Sequence, residues 1–263
     1  MGGPDPAALR EDMLDALEYA LDRAPDERVL AAMAAVPRHE FVAESPYANR
    51  EGEQGGTRVL SPATAARVLS ALSADPGDRT LVVGAGVGYT PAVIAETVGA
   101  EHVHAVDISR EMVYEARANL AAADYGGVLV DRRDGSDGLP EYAPFDRVLV
   151  EAAAVDPPRA LVGQLAPDGR LVMPRGRGAE QTLVAFEPED SDDTGDAAGV
   201  RAVDEFGPVA FRPLLVEGEQ ADAGVRNRTE REDAEFARQG YFAPTGWEHE
   251  WIDWDDRLRG TDR

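Results

Sequence analysis

The stretch Leu81-Val82-Val83-Gly84-Ala85-Gly86-Val87-Gly88-Tyr89 constrains the fold more than any other part of the sequence. An apolar strand runs straight into three glycines spaced one residue apart, and a helical pattern begins at once. Glycine lets a backbone turn sharply and approach a ligand closely, with the first N–H groups of the next helix aimed at it. Around this junction, short β-branched runs alternate with helical ones. Strands are predicted at Thr80–Val83, His102–Asp107, Gly127–Asp131, Asp146–Glu151 and Arg170–Pro174, and helices at Tyr89–Val98, Ser109–Ala122 and Pro157–Leu165. Such an order implies an α/β fold, a Rossmann-like doubly wound and mostly parallel sheet with helices on both faces. Ligands of these sheets bind beyond the carboxyl ends of the strands.

Upstream, Leu9, Met13, Leu17 and Leu21 recur at steps of four and predict a helix over Asp5–Arg23. A second helix, Glu27–Ala35, ends at Val36-Pro37, because the residue before proline is pushed out of the α region. The polar, glycine-rich segment Ala48–Thr57 reads as a mobile loop, and after Ser61-Pro62 a helix is predicted over Ala63–Leu72. Downstream, Gln181–Phe186 and Val200–Phe206 read as a β hairpin with a long acidic tip. Beyond about Val216 the apolar density falls. Trp247, Trp251 and Trp254 share one helical face there, read as packing on the domain, with a dimer contact as the alternative. This divides the chain into an N-terminal helical segment with a substrate-side loop (1–60), a catalytic domain (61–216) and an acidic C-terminal extension (217–263).

The glycine spacing carries chemistry. A dinucleotide fingerprint is G-x-G-x-x-G, whereas the pattern here is G-x-G-x-G. The closer third glycine suits a loop around the amino-acid portion and sulfur of S-adenosylmethionine, with Gly84, Gly86 and Gly88 as its contacts. Asp107, at the end of the next strand, is placed to accept hydrogen bonds from both ribose hydroxyls; its alternative role is to cap the helix before Ser109. Asp134, after the third strand, is placed to accept from an adenine amino group; its alternative is an Asp-Gly turn.

Val36-Pro37-Arg38-His39-Glu40-Phe41-Val42, the glycine loop with Tyr89, GLPEYAPFDRVLV from Gly138 to Val150, Ala152-Ala153-Ala154, and GPVAFRPL from Gly207 to Leu214 resemble the protein-L-isoaspartate O-methyltransferase family. The resemblance implies a domain that binds S-adenosylmethionine and methylates the free α-carboxylate of an isoaspartyl residue in a damaged protein or peptide. The ester then cyclises to a succinimide that reverts in part to aspartate. An in-line displacement by an ionised carboxylate needs no strong base. Alignment within ~3–3.5 Å and exclusion of water suffice. Consistently, the four histidines form no H-E-x-x-H array, no G-x-S-x-G elbow is present, and no metal is expected.

The sequence departs from that family on the substrate side. The family carries a signature close to Thr-Ile-Ser-Ala-Pro-His before the first sheet strand; aligning its proline on Pro62 puts Leu60 at the serine, Ser61 at the alanine and Ala63 at the histidine. Ser61 is the expected substrate aligner if the loop shifts by one residue, and a helix cap otherwise. Glu151 stands where the family has a threonine, and Val82 where it often has an acid. A carboxylate at 151 facing a substrate carboxylate at ~5 Å would cost ~3 kcal/mol at an effective dielectric of ~20. Glu151 must therefore turn away or pair with an arginine, or the substrate is a different one. A divergent paralogue and a non-catalytic cofactor-binding protein are the competing readings.

Composition narrows the setting. The 263 residues contain no cysteine and no lysine; 26 arginines face 50 acids, a net charge of −24. A disulfide framework and sulfur-ligated metal are excluded. Spread evenly along the chain, this charge is expected of a protein adapted to a salt-rich cytoplasm, where a Debye length of ~3 Å at 1 M suppresses repulsion between carboxylates. It disfavours nucleic acid, which needs clustered positive charge. No apolar run approaches the ~20 residues of a membrane span. A monomer is expected, with dimerisation through the extension as the alternative.

Overall fold

The computed structural model describes residues 5–21, 23–189 and 199–214. Helix α1 (Pro6–Ala20) starts on Asp5, whose carboxylate accepts from the Ala7 N–H, and buries Met13 and Leu17. Helix α2 (Glu27–Ala35) has the predicted bounds; Asp26 caps it and Pro37 lies just beyond its end.

The segment Ala48–Thr57 is not the loop that its polarity predicted. Strands β1 (Gly52–Gln54) and β2 (Thr57–Val59) pair antiparallel, with Gln54 opposite Thr57. The two intervening residues, Gly55 and Gly56, have φ of 56° and 74°. A two-residue hairpin turn with both central residues left-handed matches the twist of the strands, and paired glycines supply it. Polarity misled because this hairpin is too short to carry an apolar alternation.

Helix α3 (Pro62–Leu72) follows, then β3 (Thr80–Val83), α4 (Tyr89–Val98), β4 (Val103–Asp107), α5 (Arg110–Ala122), β5 (Leu129–Arg132), β6 (Phe145–Val150), α6 (Arg159–Val162), β7 (Leu165–Arg177), β8 (Glu180–Pro188) and β9 (Val200–Val209). The strand order is β5-β4-β3-β6-β7-β8-β9. The first five of these pair parallel, and β8 and β9 extend the sheet antiparallel as the expected hairpin, of which residues 190–198 lie outside the described segments. The helix expected over Pro157–Leu165 shrinks to one turn, because Pro157-Pro158 delays its start and Leu165 already pairs with Phe145. The extension 217–263, with its three tryptophans, also lies outside the described residues.

Both faces of the sheet are covered. Val82, Ala105, Leu149 and Val172 point into a core shared with α1 to α4, while Leu81, Val83, Val148, Val150 and Met173 point into a second core with Leu139 and Leu161. Burial on two sides explains why these strands read as continuous apolar runs. The chain leaves β3 for β4 on one side and returns for β6 on the other, so a topological switch point lies at the carboxyl ends of β3 and β6.

Candidate active site

Three strand ends and a glycine loop meet at this switch point. The Gly84 and Ala85 N–H groups donate to the Val106 carbonyl at 2.8 and 3.0 Å, which fixes the start of the loop against β4. Asp107 holds its middle: Oδ2 accepts from the Gly86 N–H at 3.0 Å, and Oδ1 accepts from the Ser109 N–H at 2.9 Å. The Asn119 amide donates to the Val87 carbonyl at 3.0 Å from α5. Gly88 ends the loop at φ 91°, and a Cβ there would lie 3.2 Å from the Ala116 backbone, so glycine is needed for α4 to pack on α5. At Gly86, by contrast, a Cβ would meet nothing nearer than the Thr57 methyl at 4.0 Å. Gly88 therefore serves packing, whereas a side chain at Gly86 would touch only the Thr57 methyl, at van der Waals distance.

Asp134 lies beside this loop: the Arg133 N–H donates to the Asp107 carbonyl at 3.1 Å, and a Cβ on Gly135 would collide with Val83. The Asp134 Oδ1 accepts from both the N–H and the hydroxyl of Ser136, at 2.9 and 2.8 Å. That is the Asp-Gly turn weighed from the sequence, whereas the cap of α5 is not Asp107 but Ser109, whose hydroxyl accepts from the Met112 N–H at 3.3 Å; both carboxylates stand at adjacent strand ends.

Glu151 is the first residue past β6, its N–H donating to the Val83 carbonyl at 2.8 Å. Its Cβ lies 3.4 Å from where a side chain on Gly84 would begin. Strand alternation gives it the face of Leu149, toward α4, where the Thr90 side chain lies near its carboxyl. Part of the residue reaches solvent, yet Oε1 is sealed from water and has no hydrogen-bond partner. Burial pushes this carboxyl up to about 7; the nearby Thr90 hydroxyl opposes the rise, the Asp107 charge adds to it, and the Arg38 charge opposes it. Glu151 thus buries Oε1 on the α4 side of the sheet and forms no ion pair among the described residues.

On the substrate side, Arg38 is 2 % exposed and ties the segments together: Nε donates to the Pro46 carbonyl at 2.7 Å, a terminal nitrogen to the Leu60 carbonyl, and the guanidinium lies 4.3 Å from the Tyr89 ring centroid. Leu60 is buried. The Ser61 hydroxyl accepts from the Thr64 N–H at 3.1 Å and donates to the Thr64 hydroxyl at 3.0 Å, capping α3. Ala63 donates its N–H to Asn49 at 3.1 Å. The hairpin β1–β2 straps this side to the loop: Thr57 lies over Gly86, Gln54 hydrogen-bonds Glu115 on α5 at 2.5 Å, and Arg58 reaches the Ala210 carbonyl at 2.9 Å.

Sequence reasoning missed Arg38 and Thr90 as parts of the site. Arg38 was visible only as a motif letter, and Thr90 as the residue after Tyr89; neither pattern reveals which buried group they meet. Among the described residues, no group of three or more His, Cys, Asp or Glu is placed to hold a metal, and no helix is long and apolar enough to cross a membrane.

A doubly wound sheet whose strand β3 opens into a glycine loop held by an acid at the end of β4 is the arrangement of Rossmann-like methyltransferases, one they share with dinucleotide-binding domains. The sequence pattern of the protein-L-isoaspartate(D-aspartate) O-methyltransferase family matches residues 10–206. A protein-L-isoaspartate O-methyltransferase of Aeropyrum pernix is 44% identical over 167 residues, 61% of this chain and 64% of that protein, slightly under two thirds of its length. One from Roseiflexus sp. (strain RS-1) is 40% identical over 190 residues, 70% of this chain and 85% of that protein. The solved Plasmodium falciparum beta-aspartate methyltransferase PCMT, in complex with S-adenosyl-L-homocysteine, superposes with a TM-score of 0.64 at 21% identity, covering 81% of this chain and 99% of that one. The chain belongs to the protein-L-isoaspartate(D-aspartate) O-methyltransferase family, whose members are methyltransferases that use S-adenosylmethionine.

Proposed function

We propose that the chain transfers a methyl group from S-adenosylmethionine to the α-carboxylate of L-isoaspartyl residues in damaged proteins and peptides. The observation that carries this reading is the family match over residues 10–206, which spans both the glycine cradle and the substrate-side segments. Two features of the structure fit the cofactor: the loop at Gly86, where only the Thr57 methyl comes within 4.0 Å of a would-be side chain, and the orphaned carboxyl oxygen of Glu151. Gly84, Gly86, Gly88, Asp107 and Asp134 are its proposed contacts. When bound, the cofactor supplies an electrophilic methyl group on a sulfonium.

The side chains have positioning work to do. Asp107 holds the loop backbone through Gly86, so little reorganisation is left for binding. Arg38 fixes Leu60 beside Tyr89, and the hairpin covers the loop and limits access of water. Ser61 is proposed to align the acceptor by holding its loop through the cap, with its hydroxyl engaged on Thr64. The surroundings proposed are a salt-rich cytoplasm, for which the lysine-free sequence and the net charge of −24 speak, and a monomer that engages no nucleic acid.

Glu151, Leu60 and Ala63 favour a second reading, a paralogue with another acceptor. The test offers labelled cofactor and matched isoaspartyl and aspartyl peptides to the purified chain in multimolar KCl. Base-labile methyl ester on the isoaspartyl peptide alone is the expected result. Cofactor binding without transfer to either peptide would leave the second reading.

A further inference from the structure

We propose that Glu151 is this chain's own anionic ligand for the cationic end of the cofactor, its ammonium or sulfonium centre, and that it gives up a proton when the cofactor binds. The inference rests on the methyltransferase reading above. Its basis is position and an unmet need. Glu151 flanks the first glycine of the loop, with its backbone on β3 and its side chain beside the Gly84 backbone. One acceptor oxygen, Oε1, is sealed from water with nothing donating to it.

The surrounding groups offer no charge to satisfy that oxygen. Asp107, from the end of β4, is negative and already spends both oxygens on the Gly86 and Ser109 N–H groups. Arg38, from the 3-10 turn at Arg38–Glu40, is directed at the Pro46 and Leu60 carbonyls. Helix α4 presents Thr90, which lies near the carboxyl, and Tyr89, which lies under Arg38. From the loop that follows β3 comes the Gly84 backbone. Two carboxylates thus bracket one glycine loop, with no cation in contact with Glu151 among the described residues.

A buried anion in that setting is held neutral by a proton until a cation arrives. With the free carboxyl raised to about 7, part of the population carries that proton at neutral pH. A cofactor cation beside Oε1 replaces it. The same substitution removes the objection raised by the sequence, because a carboxylate neutralised by the cofactor no longer repels the acceptor's carboxylate.

The experiment is calorimetric titration of the full chain with S-adenosylmethionine near pH 7, in two buffers of different ionisation enthalpy, repeated from pH 6 to 8. The expected result is release of a fraction of a proton at pH 7 and a Kd that tightens about tenfold from pH 6 to pH 8. Glu151→Gln and, as a second variant in case that one folds poorly, Glu151→Thr should bind with no proton release from this site and a nearly flat Kd over this range. S-adenosylhomocysteine separates the two sources of charge. Retained proton release assigns the contact to the ammonium, and lost release assigns it to the sulfonium. Proton uptake, a Kd that weakens with pH, or equal release from the variants would overturn the proposal. Absence of any cofactor binding by the unmodified chain would instead overturn the reading on which it rests.

Discussion

Glu151 shows how much one residue's surroundings decide. Its folded carboxyl titrates near 7, above its ordinary 4.5, so the folded state holds an extra proton between those values. Stability from this group is therefore fully present below about 4.5 and is lost as pH rises through 7. Glu151→Gln cannot titrate; relative to the parent it should gain roughly 2–3 kcal/mol of stability between pH 5 and pH 8, read from denaturant midpoints. A difference that stays constant with pH would contradict the burial seen here. The face of Glu151 was legible in the sequence, since it shares the parity of Leu149. Its missing partner was not, because Thr90 and Arg38 arrive from other elements. Ser61 gives the converse case, as its cap role was written in Ser61-Pro62. Ser61→Ala should cost about 1 kcal/mol in melting experiments. Leu60→Ser restores the family's hydroxyl at the aligned position and is expected to raise kcat on an isoaspartyl peptide; no change would show that a hydroxyl there is not used.

At the scale of elements, the strand and helix pattern was legible wherever an element buries a face. Helices Glu27–Ala35 and Tyr89–Val98 and strand Thr80–Val83 carry the expected bounds, set by Pro37, by Gly88 and by the glycine loop. The hairpin β1–β2 was not legible, because its stability comes from what it touches. Its tip meets Met112 and Glu115 on α5, its strands hold Thr57 over Gly86, and Arg58 ties it to Ala210. Gly55→Ala combines a left-handed backbone position with a Cβ that would lie 2.3 Å from the Met112 side chain. The strap should lift from α5, weakening cofactor affinity several-fold by titration while the melting temperature moves little. A large loss of melting temperature with unchanged affinity would mean that the hairpin serves the core and not the site.

At the scale of the whole molecule, the family fold carries an acidic, lysine-free surface. Its ion pairs are mostly exposed arginine–carboxylate contacts, each worth about 0–1 kcal/mol, so they do not offset a net charge of −24. Screening should do so instead, and the melting temperature is expected to rise steadily as KCl increases from 0.1 to above 1 M. The glycine loop, Asp107 and Asp134 meet at neighbouring strand ends, while the segments proposed for the acceptor depart from the family pattern at Leu60, Ala63 and Glu151. Repair of isoaspartate is the claim those three residues put at stake. Its most direct test is to incubate an isoaspartyl peptide with the chain and S-adenosylmethionine in high KCl and follow both peptide forms by chromatography. The isoaspartyl peak is expected to fall while the aspartyl peak grows, only when cofactor is present. An isoaspartyl peak unchanged over many hours, from protein that binds the cofactor, would contradict it.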